Sequence, residues 1–290
     1  MVVLTVSYGP DFEVCRDLNR SVLAFTDEAV RHHIVVSRRD LARFSVLAGP
    51  RTDVDDLSAF LPRSIVRLPL DRYWINLARP FPPSRGWIVQ QLVKLAFTAQ
   101  SSADVVLHVD SDVTLIRPVT ATTFVKNGIV RFYRMPDEID ERLPRHVIWH
   151  RVARAMLGLP DANPRFSDYV SAMVAWNPAI VREMGERIAQ VRRRPWLTTV
   201  GSHLHFSEST LYGVFVDEVV GPAATRFDSA DSLCRSYWNH EPLDAEGLTH
   251  FLAGVQSHDV AVLISSKSNT PLTLRRSAIG SMFAQTESGR

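Results

Sequence analysis

Short apolar, β-branched runs alternate with stretches of helical period through the first half of the chain, and that alternation predicts βα units feeding a mostly parallel central sheet flanked by helices. The strands expected are Val2–Val6, His33–Val36, Ser45–Ala48, Ile65–Leu68, Val105–Val109 and Ile129–Tyr133. Between the first two, Phe12–Glu28 reads as a helix after the turn Tyr8-Gly9-Pro10. Ile88, Leu92, Leu95 and Ala99 recur at helical spacing, so a second helix is expected from Trp87 to Gln100. The stretch before it, Ala78–Gly86 (ARPFPPSRG), reads as an extended proline-rich loop.

Further on, Asp168–Trp176 (DYVSAMVAW) reads as one buried strand and Pro178–Arg192 as a helix opening on a boundary proline. His205–Val216 reads as a helix with Ser207 or a neighbour as its N-cap. Val260–Ser265 is the last expected strand, leading into the polar turn Ser266-Lys267-Ser268-Asn269. His146–Arg154 suits an amphipathic helix over the sheet or part of a lid. From Ser277 to Arg290 apolar periodicity fades, so the organisation expected is one α/β domain over residues 1–276 and a flexible tail over 277–290.

Composition narrows the class. A chain of 290 residues that is 46% hydrophobic can bury a large core. Its formal charge is only +2, and no dense basic stretch is interleaved with aromatics, so nothing points to nucleic acid. Arg192-Arg193-Arg194 reads as a solvated helix end. Lysine is scarce, with Lys94, Lys126 and Lys267 the only three. Cys15 and Cys234 match neither a disulfide framework nor a zinc spacing and fit a reducing compartment. The opening MVVLTVSYGP has no basic leader, and no apolar run approaches the ~20 residues that span a bilayer, so a soluble cytoplasmic protein is expected.

The chemistry concentrates in Val105–Leu115, VVLHVDSDVTL. Read as continuous strand, it delivers Asp110 and Asp112 pointing the same way, a pair suited to a hard divalent cation that carries phosphates. In an open α/β sheet ligands bind beyond the carboxyl ends of the parallel strands, where Asp110-Ser111-Asp112 would lie. A helix antiparallel to that strand brings Arg85, Trp87, Gln90 and Gln91 to the same edge. Gln90 and Lys94 share a face at i, i+4, where they can hydrogen-bond sugar or phosphate, although a solvated face has the same pattern.

Five segments in this order, Thr5-Val6-Ser7-Tyr8, GWIVQQLVKLA (Gly86–Ala96), HVDSDV (His108–Val113), DYVSAMVAW and SESTLYG (Ser207–Gly213), resemble a bacterial glycosyltransferase-like family of otherwise unknown function with the GT-A, Rossmann-like nucleotide-diphospho-sugar transferase fold. The likeness covers roughly residues 1 to 270. It implies metal-dependent transfer of a sugar from a nucleotide-diphosphate donor, UDP- or GDP-linked, to a hydroxyl or amine of a small-molecule or glycan acceptor. Manganese or magnesium would sit at Asp112 and Asp110, with the nucleoside near Thr5, Val6, Ser7 and Tyr8. Asp168 and Ser171 would flank the donor sugar.

Glu208, in the first turn of its helix, either serves the macrodipole or acts as the acceptor's base. Lys267, in the turn after the last strand, would neutralise the leaving pyrophosphate. A late histidine often completes the metal site in this fold; His258 and His240 are the candidates, and neither sits in the motif of the best-known relatives. Of the six tryptophans, Trp87 and Trp238 are those to consider for stacking on a sugar, the rest suiting a core.

Two other functions compete. DSDVT satisfies the pattern of haloacid dehalogenase-type phosphatases, with Asp110 as nucleophile, but that motif follows the first strand, whereas here about a hundred residues precede it. A catalytically silent sugar-nucleotide-binding protein would keep the same fold.

Overall fold

The computed structural model describes residues 1–68, 73–221 and 227–288, with side chains as far as 282. The first half runs β1 (Val2–Val6), α1 (Phe12–Phe25), β2 (Arg31–Val36), the single turn α2 (Leu41–Phe44), β3 (Thr52–Asp56), β4 (Ile65–Arg67), β5 (Tyr73–Asn76), β6 (Arg79–Arg85), α3 (Gly86–Gln100), β7 (Val106–Val109) and β8 (Val113–Leu115). Next come α4 (Ala121–Phe124), β9 (Val125–Lys126), β10 (Ile129–Val130), β11 (Phe132–Tyr133), β12 (Met135–Ile139), α5 (Pro144–Leu157), β13 (Phe166–Asp168) and β14 (Met173–Trp176). The chain closes with α6 (Pro178–Arg192), α7 (Trp196–Val200), α8 (Glu208–Phe215), β15 (Asp228–Ser229), β16 (Cys234–Tyr237), α9 (Ala245–Ala253), β17 (Ala261–Ile264) and α10 (Leu272–Ser288).

The central sheet is mixed. Its order is β14-β7-β1-β2-β3, with β7, β1, β2 and β3 parallel and β14 antiparallel against β7. Several smaller sheets surround it, among them β16-β17-β8 and β4-β5-β6. The expectation of one mostly parallel sheet is thus corrected at its β14 edge and by the satellite sheets.

Strand alternation separates two cores. Leu4, Val6 and Val106 face one way, onto a cluster with Ile88, Leu92 and Leu95 of α3 and Leu211 and Phe215 of α8. Val3, Leu107 and Val109 face the other way, onto Leu18 and Val22 of α1 and Val113 and Leu115 of β8. Helix α3 therefore packs on one face of the sheet and α1 on the other.

Five expectations are revised. Ser45–Ala48 is not a strand: α2 and a 3-10 turn over Ser45–Leu47 fold Phe44 under α1, 5.1 Å edge-on from Phe12. The strand in that place is β3, TDVDD, whose acids a sheet edge tolerates because part of each residue faces water. Ala78–Gly86 is mostly β6, an edge strand that accommodates its prolines because one side needs no ladder donors. Ile129–Tyr133 divides into β10 and β11, which pair with β9 and β15, and Asp168–Trp176 likewise divides between β13 and β14. The expected tail is helical through Ser288, since Leu274, Ala278, Ile279 and Met282 repeat at helical spacing and pack beside Leu248 and Phe251 of α9.

Candidate active site

The carboxyl end of β7 sets the site. Asp110 has the strand parity of His108, so both side chains face α3. Antiparallel to β7, α3 presents Lys94 and Thr98 one turn apart, and that rise matches two residues of strand. Thr98 Oγ1 lies 3.0 Å from His108 Nε2, and Lys94 Nζ lies 3.1 Å from Asp110 Oδ1. The same ammonium is 3.1 Å from Glu208 Oε1 at the start of α8. Burial disfavours the charge on Lys94, but the carboxylates of Asp110 and Glu208 more than offset it and hold its pKa above the ordinary value.

Asp112 goes elsewhere. Val105–Leu115 is not continuous strand: Val113 N donates to Asp110 O at 3.2 Å, closing a tight turn over Ser111 and Asp112, and β8 leaves for another sheet. The two carboxylates therefore have different hydrogen-bond partners. Asp112 Oδ2 accepts from the backbone amide of Ser266 at 2.7 Å, delivered by β17 pairing with β8. Burial, then the charge of Asp110, pushes the Asp112 carboxyl up to about 6.

Asp11 completes this edge and escaped the sequence reading. It follows β1 in a 3-10 turn, and its Oδ2 accepts from Ser111 Oγ at 3.0 Å. Burial raises its pKa, against the lowering effect of the Ser111 and Ser266 hydroxyls and of Arg275 and Lys267. Arg275 of α10 donates to Asp112 O at 3.2 Å and Ile264 O at 2.6 Å. An acid in a Gly-Pro-Asp turn looks like an ordinary helix start; only its place beside β7 marks it.

The remaining candidates divide. Lys267 is exposed in the 3-10 turn that holds Asp112. Tyr8 is 38% exposed at this edge, its pKa raised by burial and by Asp11 and Asp112. Thr5, Val6 and Ser7 are buried; Thr5 Oγ1 donates to Val109 O at 2.9 Å, and Ser7 N donates to Val35 O at 3.0 Å. Gln91 is also turned inward: its Oε1 accepts from Glu208 N at 3.0 Å, tying α8 to α3. Arg85 is exposed just ahead of α3 and Gln90 is half-buried on that helix. Ser207 caps α8, accepting from Thr210 N at 3.2 Å.

Asp168 ends β13, with Oδ1 accepting from Val170 N at 3.0 Å. Burial raises its pKa, and its charge is felt by Tyr133. His258 precedes β17, whereas Ser266 follows it, so the strand carries His258 away from Asp112 and corrects its expected place as a ligand. His240 is exposed beyond the opposite end of β16, on the Ser266 side. Among the described residues no three His, Cys, Asp or Glu gather as a metal cluster.

A cavity of about 500 Å³ has Ser171, Tyr237 and Trp238 among its lining residues at the end nearer the carboxylates, and Arg235, Phe251, Gln256 and Asp259 toward the start of β17; neither Asp110 nor Asp112 lines it. Strand register explains its place. Asp110 N donates to Ala172 O at 3.0 Å, setting Ser171 next to Asp110, while Tyr237 pairs with Ile264 just ahead of Ser265 and Ser266. Trp238 is 51% exposed there, whereas Trp87 lies 5.8 Å from Trp149 with the Arg145 guanidinium over its ring.

The model of the Family of unknown function (DUF6492) matches residues 3–286, and the chain belongs to that family. No curated protein matches the chain. Among solved structures it is similar to an active-site mutant of LgtC, at 14% identity over 97% of this chain and 96% of that one, with a TM-score of 0.47. It is also similar to mouse xyloside xylosyltransferase 1 in its apo form, at 12% identity over 94% of this chain and 100% of that one, again with a TM-score of 0.47.

Proposed function

We propose that this member of the family is a metal-dependent glycosyltransferase of GT-A type, moving a sugar from a nucleotide-diphosphate donor to a hydroxyl. The observation that supports the reading is that Asp110 N donates to Ala172 O, which sets the Asp110–Asp112 turn next to Ser171 at one end of a cavity lined by hydroxyls, aromatic rings and the charged Arg235 and Asp259. The turn suits a cation with phosphates, the cavity the hydroxyls and apolar faces of a glycan or polyhydroxylated small molecule.

The donor set fits a hard divalent ion. Asp112 is buried beside the like charge of Asp110, a repulsion that a cation relieves. Magnesium or manganese keeps several positions for water and phosphate oxygens, so two carboxylates are sufficient protein ligands. When bound, the ion would neutralise the diphosphate leaving group.

The chain's own residues do the rest. Lys94, anchored by Glu208, fixes the direction of Asp110, and the Ser266 amide fixes Asp112. Glu208, engaged by that ammonium and 7% exposed, is a positioning residue rather than the acceptor's base. Asp168, raised by burial and felt by the cavity residue Tyr133, is the carboxylate we assign to the acceptor proton. Lys267, exposed in the Ser266 turn, would meet the departing pyrophosphate. Buried, unpaired Cys15 and Cys234 suit a reducing, cytoplasmic setting, and among the described residues no helix is long and apolar enough to cross a membrane.

The test is thermal denaturation with uridine and guanosine diphosphates, with and without manganese. Stabilisation by one nucleotide that needs the metal and disappears in Asp112→Asn supports transfer. Absence of any nucleotide response, together with phosphate-monoester hydrolysis that Asp110→Asn abolishes, would establish the phosphatase instead.

A further inference from the structure

A second cavity, of about 390 Å³, lies where the end of α6, helix α7 and the β5–β6 turn meet, and none of its lining residues belongs to the site above. Arg192, Arg194 and His203 line it together with Thr198 and Ser202. Arg79 reaches the same corner, its Nη1 donating to Ser202 O at 2.9 Å. His203 senses both neighbours: burial lowers its pKa, and the charges of Arg192 and Arg79 lower it further.

A helix C-terminus favours cations, which accounts for Arg192 alone. It does not account for Arg194, beyond the helix, or for Arg79, from a distant hairpin. The chain turns at Arg193, in left-handed conformation at φ 52°, and Arg192 and Arg194 on either side of it both line the cavity. Among the described residues no carboxylate lines the cavity, and Arg79, Arg192 and Arg194 form no ion pair. Three arginines from two segments thus gather at one corner with no opposite charge among the described residues, an arrangement that an oxyanion stabilises.

We propose that this corner is a second binding site, which takes the phosphate of a small phosphorylated molecule. Arginine matches phosphate geometry with paired N–H donors, and the cavity has room for a ligand larger than bare phosphate.

The experiment is calorimetric titration of the full chain with inorganic pyrophosphate in EDTA, where the Asp110–Asp112 site lacks a metal and repels anions. Saturable binding at one equivalent is expected, weakened at least tenfold in Arg192→Ala/Arg194→Ala and unchanged in Asp112→Asn. Both arginines are exposed, so the melting temperature of the double variant should match the parent and exclude misfolding. No saturable binding, or binding kept in the arginine variant and lost in Asp112→Asn, overturns the proposal. Because neither donor, metal nor turnover enters the measurement, its outcome is separate from that of the transferase test.

Discussion

The backbone amide of Ser266 donates to Asp112 Oδ2 at 2.7 Å, across 154 residues of sequence. That bond fixes a carboxylate which burial and Asp110 push up to about 6 from a reference near 4. Between those values the folded protein keeps a proton that the unfolded chain has released, so this group's contribution to stability falls as pH rises from about 4 through about 6. Asp112→Asn keeps an oxygen for Ser266 and removes the titration. Without metal it is expected to stabilise the protein at pH 7.5, by at most about 3 kcal/mol, and to give no gain at pH 4. Urea denaturation of both proteins across that range checks the sign.

Lys94 holds two carboxylates, and its side chain is 18% exposed. Lys94→Met leaves both without a cation and is expected to cost about 3 to 5 kcal/mol, whereas Glu208→Gln, which keeps the Lys94–Asp110 pair, costs less. In the double variant the loss should be smaller than the sum of the single losses, because the two changes act on one network. Additive losses in denaturant titrations would refute the coupling.

Helix α8 sits against Tyr169 so closely that a Cβ on Gly213 would lie 2.1 Å from the ring. The tyrosine cannot move aside easily: it is buried, stacks 5.6 Å from Phe132 and donates to Asp217. Gly213→Ala is expected to destabilise by about 3 kcal/mol or more. Tyr169→Phe would not relieve it, since the clash is with ring carbons, and melting temperatures of Gly213→Ala, Tyr169→Phe and the double variant distinguish the cases.

Trp238 projects beside the larger cavity with little to pack against. Trp238→Ala should leave the melting temperature within about a degree of the parent, since surface changes away from packed features cost little. Under the transferase reading it should raise the acceptor KM about tenfold with little change in donor KM, in line with the loss of one aromatic contact. An unchanged acceptor KM would remove Trp238 from acceptor binding.

Asp168→Asn tests the proton acceptor. Activity should fall at least about a hundredfold, and the acidic limb of the pH–rate profile should vanish while manganese-dependent nucleotide binding persists. If nucleotide binding is lost as well, Asp168 supports the donor rather than the proton.

Local pattern determined much of this protein. The limits of β1 and α6 and the Ser207 cap of α8 follow from the order of apolar, proline and capping residues, because each is decided within a turn or two of chain. Asp110 at a strand end was legible for the same reason. Tertiary structure alone decided what the side chains do. Lys94, Gln91 and Glu208 read as three groups offered to a ligand, yet packing of α3 against β7 and α8 joins Lys94 and Glu208 in a charge network and makes Gln91 a strut between helices. Asp112, Asp11 and Ser266 come from three distant segments and meet because β8 pairs with β17 and β1 lies beside β7. Periodicity reports which face of an element is apolar. Which polar groups meet there depends on strand order and register, and those are set by contacts between residues far apart in the chain.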